Sequence, residues 1–122
     1  MRAWATVLAA AVVAVACAGA AAAAELVVFS QKGCVYCAAW ERDVGRIFDR
    51  TDEARLVGLR RVDMDAPRPA DLAAVAPVRV SPTFVVVEDG REIGRILGYR
   101  DQDQFWGLLH PILDRLAKRP AG

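Results

Sequence analysis

The sequence predicts an α/β fold: a four-stranded mixed β-sheet flanked by helices on both faces. Three observations carry the prediction. Apolar strand-like runs and stretches of helical periodicity follow one another in the order strand, helix, strand, helix, strand, strand, helix. A helical crossover joins the first two strands, which requires them to pair in parallel. Only Asp89-Gly90 separates the last two, and that dipeptide is a two-residue hairpin signal for antiparallel pairing.

The chain has 122 residues and fits a single domain. Residues 1–24 read as a cleaved secretory leader and residues 25–122 as the domain. Arg2 supplies the positive start, Ala3 to Ala16 the uncharged apolar run, and Ala22-Ala23-Ala24 an A-x-A cleavage pattern. The apolar run is shorter than the ~20 residues a membrane-spanning helix needs. Cys17 has two readings. Ala14-Val15-Ala16-Cys17 resembles a lipoprotein box, which would make Cys17 a lipid anchor; otherwise it is discarded with the leader.

The formal net charge is +1, and losing Arg2 with the leader brings it close to zero. That balance offers no basic or acidic field for nucleic acid or an anionic membrane. A single histidine excludes a multi-histidine metal site.

In chain order, Glu25 to Ser30 is a buried strand with four successive apolar residues. Gln31-Lys32-Gly33 turns the chain. From Cys34 to Arg50 the apolar positions Cys37, Trp40, Val44, Ile47 and Phe48 trace one face of a helix. Leu56 to Val62 is the second strand, and two prolines mark the loop after it. Asp71 is positioned to cap a short helix over Leu72 to Ala76, which Pro77 ends. Thr83 to Glu88 and Arg91 to Leu97 form the hairpin. The last helix runs from about Asp101 or Asp103 to Lys118, with Phe105, Leu108, Leu109, Ile112, Leu113 and Leu116 on its apolar stripe. Pro111 should kink or divide it.

The chemistry gathers at Cys34-Val35-Tyr36-Cys37, where a strand turns into a helix. Two cysteines three apart can close one disulfide. Its loop is so small that it constrains the unfolded chain little, so stapling explains the pair poorly. A thiolate at a helix N-terminus is stabilised and becomes a usable nucleophile. A closed zinc site needs four ligands, and the exported chain offers only distant His110 besides the pair.

Gly33-Cys34-Val35-Tyr36-Cys37 after the first strand, Ser81-Pro82-Thr83 before the hairpin, and Gly98 after the last strand resemble the thioredoxin fold family. A narrower resemblance is to SoxS-type periplasmic thioredoxins of bacterial sulfur-oxidation systems. It rests on Leu26-Val27-Val28-Phe29, the cysteine motif, Leu59-Arg60-Arg61-Val62-Asp63, Pro82-Thr83-Phe84-Val85, Asp89-Gly90-Arg91-Glu92-Ile93-Gly94-Arg95-Ile96, and Gly98-Tyr99 with Phe105-Trp106-Gly107-Leu108-Leu109. The resemblance implies a cis bond before Pro82, beside the disulfide, with the preceding backbone free to pair with an extended client. Three departures stand out: Val28 where the family has a buried Asp, Gly33 in place of an aromatic residue, and Val35-Tyr36 in place of Gly-Pro. They leave the proton acceptor for Cys37 unassigned.

The expected roles follow. Cys34, the more exposed, attacks a client disulfide; Cys37, one turn in, resolves the mixed disulfide. Pro82 completes the catalytic set, and Tyr36, Ser81 and Thr83 are the candidate client contacts, with a plain surface aromatic an equal reading of Tyr36. Glu41 is a candidate proton carrier weighed against an ordinary solvated carboxylate. Trp40 reads as core, His110 as structural or surface, and Arg60-Arg61 as strand edge.

No cofactor is expected beyond the Cys34–Cys37 disulfide itself, and no metal. The function expected is a periplasmic thiol–disulfide oxidoreductase working as a monomeric reductase on an exported cysteine-bearing client. The resemblance implies a sulfur-carrier protein as client and a membrane thiol transporter as electron donor. An oxidant, isomerase or glutaredoxin-like enzyme is the near alternative. A non-catalytic binding module or metallochaperone is the distant one.

Overall fold

The computed structural model describes residues 24–117, together with residue 3 and residues 9–13. Cys17, with residues 14–23 of the expected leader, lies outside the described residues, whereas Ala24, its last residue, is buried and its carbonyl accepts from the Gly58 N–H at 3.1 Å. No helix among the described residues is long and apolar enough to cross a membrane.

Strand β1 (Glu25–Ser30) leads into α1 (Val35–Trp40). Strand β2 (Gly58–Asp63) follows, then β3 (Thr83–Glu88), β4 (Arg91–Leu97) and α2 (Gln102–Ala117). The sheet order is β2-β1-β3-β4. β1 pairs in parallel with β2 and antiparallel with β3, and β3 pairs antiparallel with β4. This is the mixed sheet the connection lengths imply. At the hairpin turn Asp89 and Gly90 both have positive φ, 53° and 76°, the backbone that a tight two-residue turn demands.

The two central strands are buried on both faces, and their alternation divides the core. Leu26 and Val28 of β1, with Phe84 and Val86 of β3, face one side; Val27, Phe29, Val85 and Val87 face the other. On the first side both α1 and α2 pack down. Trp40 is fully buried there, its ring 5.1 Å from Phe84 and 5.8 Å from Phe105, and those two lie 4.9 Å apart. One indole therefore joins α1, β3 and α2.

The second side is covered differently from the expectation. In place of a helix over Leu72 to Ala76 there is a single 3-10 turn, Ala70–Leu72, followed by coil. Leu72 and Val75 still seal this half of the core. The seven residues between Pro69 and Pro77 are too few to offset helix nucleation. Asp71 caps nothing; it binds Arg60 of β2 through both oxygens, at 2.6 and 3.0 Å.

The helix expected over Cys34 to Arg50 is one path with three windings. α1 gives way to a π-helical stretch, Glu41–Gly45, and then to a 3-10 turn, Phe48–Arg50. The loosened winding allows the Glu41 side chain to fold back over Gly45. A Cβ on Gly45 would strike the Glu41 carboxylate and come within 2.8 Å of the Trp40 ring. α2, by contrast, is neither divided nor interrupted at Pro111. Pro111 and Gly107, whose carbonyl loses its helical partner, are both exposed, so water can satisfy that carbonyl. Gly94 lets α2 approach the sheet: a Cβ there would lie 3.0 Å from Ile112.

Tyr99, just past β4, is buried, and its phenol donates to Asp43 of the π-helical stretch at 2.6 Å. This ties the end of the hairpin to the segment that follows α1. Burial, and then the Asp43 carboxylate, push the Tyr99 pKa well above its ordinary value.

Two predictions follow from these contacts. Gly45→Ala should destabilise the protein by about 1–3 kcal/mol through overpacking against Trp40. That outweighs the ~0.5–1 kcal/mol that alanine normally gains over glycine in a helix; urea unfolding measures the sign. Tyr99 favours its neutral form in the folded state, so the stability it adds is complete below its unfolded pKa of about 10 and declines as pH rises above that. Tyr99→Phe should therefore flatten the fall in stability above about pH 10, read from unfolding curves at successive pH values.

Candidate active site

The site begins with the turn that leaves β1. Gly33 has φ 79°, and the Cys34 N–H donates to the Gln31 carbonyl at 3.3 Å. Only a residue without a side chain takes that left-handed backbone at low cost. Cys34 then stands as the N-cap of α1 in extended conformation, its Sγ accepting from the Cys37 N–H at 3.1 Å. A sulfur at this place satisfies one of the unpaired donors at the start of the helix. Cys34 and Cys37 form a disulfide with Cα atoms 5.2 Å apart.

The two sulfurs differ in access. Cys34 is half-buried, whereas Cys37 is 8% exposed. Between them Val35 and Tyr36 project into solvent. Cys37 Sγ lies 3.1 Å from Ser81 Oγ, which brings the turn before β3 against the disulfide. The Ser81–Pro82 bond is cis, the isomer that the resemblance implies, and Pro82 is buried.

Two hydrogen bonds hold this turn: Thr83 Oγ1 donates to the Val80 carbonyl at 2.6 Å, and the Gly98 N–H donates to the Pro82 carbonyl at 2.7 Å. Thr83 therefore differs from its expected role as a client contact. Its side chain is fully buried, because the hydroxyl is spent inside the turn. Ser81 is brought to the disulfide directly. Tyr36 is exposed on its rim.

A groove of about 410 Å³ opens beside the pair, lined by Val28, Cys34, Cys37, Trp40 and Glu41 among others. Val28 puts hydrocarbon on its floor. Glu41 is held by Arg61 of β2, whose Nε and Nη2 donate to its two oxygens at 2.6 and 2.8 Å. That hydrogen bonding is the main cause of the raised Arg61 pKa. Arg61 was legible only as strand edge, because a contact between β2 and the π-helical stretch has no sequence signal. His110 stays away from the site: it bonds Glu53 at 2.8 Å and stacks on Trp106. Among the described residues no group of three or more potential metal ligands gathers.

Unequal access has a direct chemical consequence. After reduction, Cys34 should react with iodoacetamide about tenfold or more faster than Cys37. Peptide mass spectrometry after short exposure measures the ratio; equal labelling would contradict the geometry.

Comparison with known proteins places this arrangement. A family model described as a thioredoxin-like domain matches residues 13–112. Among curated proteins no sequence matches. Among solved structures, the periplasmic thioredoxin SoxS from Paracoccus pantotrophus, in its reduced form, is 35% identical with a TM-score of 0.72. The match covers 76% of this chain and 98% of that one. A thioredoxin from Thermus thermophilus is 31% identical over 74% of this chain and 73% of its own, with a TM-score of 0.54. Poplar thioredoxin h is 19% identical, covers 76% of this chain and 78% of its own, and with a TM-score of 0.55 shares the fold. A half-buried cysteine at a helix cap, a buried partner one turn on and a cis-proline alongside are thus set in a chain that belongs to the thioredoxin-like family of thiol–disulfide oxidoreductases.

Proposed function

We propose that this protein is an exported, periplasmic reductase that keeps the cysteines of exported client proteins reduced, with a sulfur-oxidation carrier protein as the foremost client. The observation that carries the reading is the asymmetry of the pair: Cys34 half-buried at the helix cap, Cys37 buried against Ser81. Such a pair serves a two-step exchange. The Cys34 thiolate attacks one sulfur of the client disulfide, and the other client sulfur leaves as a thiolate. Cys37 then attacks Cys34, closing the Cys34–Cys37 bond and releasing the second client thiol. Two electrons pass from the pair to the client.

Location and client rest on other grounds. The likeness to a periplasmic thioredoxin supports export, as does the leader-like composition of residues 1–24. The client surface has the exposed Val35 and Tyr36 on one side of the disulfide and the exposed Val80 and Leu97 on the other. Ser81, between them, has no backbone hydrogen bond among the described residues, which leaves its N–H and C=O open to an extended client strand. In an oxidising compartment the reduced pair must be regenerated from outside, and a membrane thiol transporter is the donor we assign.

Trapping tests the role. Expressed in the periplasm, Cys37→Ala should accumulate a mixed disulfide between Cys34 and a cysteine-bearing exported protein, resolved by non-reducing electrophoresis and mass spectrometry. Cys34→Ala should trap nothing. The wild type should reduce insulin disulfides, with a potential nearer the about −270 mV of thioredoxin than the about −120 mV of the strong periplasmic oxidant. A potential above about −150 mV would overturn the reductase reading in favour of an oxidant.

A further inference from the structure

We propose that Glu41, held in place by Arg61, is the base that takes the proton from the Cys37 thiol. The inference rests on the exchange chemistry of the Cys34–Cys37 pair and addresses the step in which Cys37 resolves the mixed disulfide. Cys37 is nearly closed off from bulk solvent. Its neighbour Ser81 is a neutral hydroxyl, 3.1 Å away, and no base at neutral pH. From β1 the groove receives only Val28 and Ser30. Of the groove-lining residues, Glu41 alone carries an ionisable group other than the two cysteines.

Three features direct the Glu41 carboxylate to this task. It follows Cys37 by four residues, which sets the two on the same side of the helical path. Arg61 grips both its oxygens and holds the carboxylate in one orientation. Gly45 leaves open the notch into which the carboxylate folds. The groove, at about 410 Å³, has room for water to link carboxylate and thiol. The charged and titratable groups around Glu41 are Arg61, Asp49 acting on Arg61 through space, and the cysteines across the groove.

The step balances without an outside redox agent. Glu41 accepts the Cys37 proton, and the new thiolate attacks Cys34 Sγ. The Cys34–Cys37 bond forms as the Cys34–client bond breaks. The electron pair leaves on the client sulfur, which takes up a proton from protonated Glu41 or from water. Glu41 then stands ionised again, and Arg61 acts as a positioning residue throughout.

Stopped-flow reaction of the reduced protein with dithiobis(nitrobenzoate) separates the steps. Cys34 captures one aryl thiol in a first phase, and attack by Cys37 releases it in a second. In the wild type the second phase should hold a level rate across the neutral pH range. In Glu41→Gln that plateau should vanish, and the rate near pH 7 should fall on the order of 10²-fold. The first phase should keep its rate. Glu41→Asp should retain a lower plateau. Arg61→Leu should lower the plateau, because the carboxylate loses the cation that positions it.

A second phase in Glu41→Gln with wild-type rate and pH dependence would overturn the proposal. Should that variant not fold, a wild-type second phase that rises steadily through the neutral range would do the same. A wild type with no second phase at all would instead refute the exchange chemistry on which the inference rests.

Discussion

The packing of Trp40 is the constraint on which the site depends. A six-residue helix is far too short to hold itself in water. α1 persists because its last residue is driven fully into the core against Phe84 and Phe105. Burying an aromatic of that size contributes several kcal/mol, of the order lost (about 3–5 kcal/mol) when a core Trp is cut to Ala. The same contact sets how α1 lies across the sheet, and hence where Cys34 and Cys37 point. The winding just after Trp40 then loosens, and Glu41 folds back over Gly45 toward Arg61. The groove beside the disulfide is thus a by-product of how the helix is anchored.

Opposite α1, a second rigid unit meets the disulfide. The cis Ser81–Pro82 turn is pinned from inside by Thr83 and from β4 by Gly98. β1 and β3 are antiparallel hydrogen-bonded neighbours, so the end of one and the start of the other deliver the cysteine turn and the proline turn to the same end of the sheet. Hydrophobic burial on both faces of these central strands fixes their register, since a one-residue slip would exchange the two core faces. The site therefore inherits its precision from the sheet, not from its loops. Chemistry that needs two sulfurs and an incoming client sulfur in line requires such a frame.

Much of the fold was legible in local patterns. β1, β3 and β4 and the Asp89-Gly90 turn lie where the apolar runs and turn chemistry place them, because those signals are local and strong. The piece at Ala70–Leu72 was not legible: Leu72 and Val75 look like a short helical face, but the flanking prolines and the brief span leave only one turn. The change of winding at Glu41 was equally hidden, because the apolar stripe Trp40, Val44, Phe48 suits an α-helix as well as the path observed. Pro111 misled in the other direction, since its effect depends on Gly107 facing water.

The sequence by itself determined the order of the elements, the parallel and antiparallel pairings, the hairpin and the two cysteines at the helix start, while the proline beside them was implied by the family resemblance. These depend on spacing and residue type, which the chain carries without reference to its fold. Only the tertiary structure decided how the sulfurs differ in exposure, which hydroxyl reaches Cys37, that Thr83 is spent inside its turn, and that Arg61 meets Glu41. Each of these joins residues 20 or more positions apart, or depends on burial that only packing creates. Val28 illustrates the division. The sequence alone showed that no acid stands at that position and offered Glu41 as a candidate, but only the folded chain sets Glu41 in the same groove, gripped by Arg61.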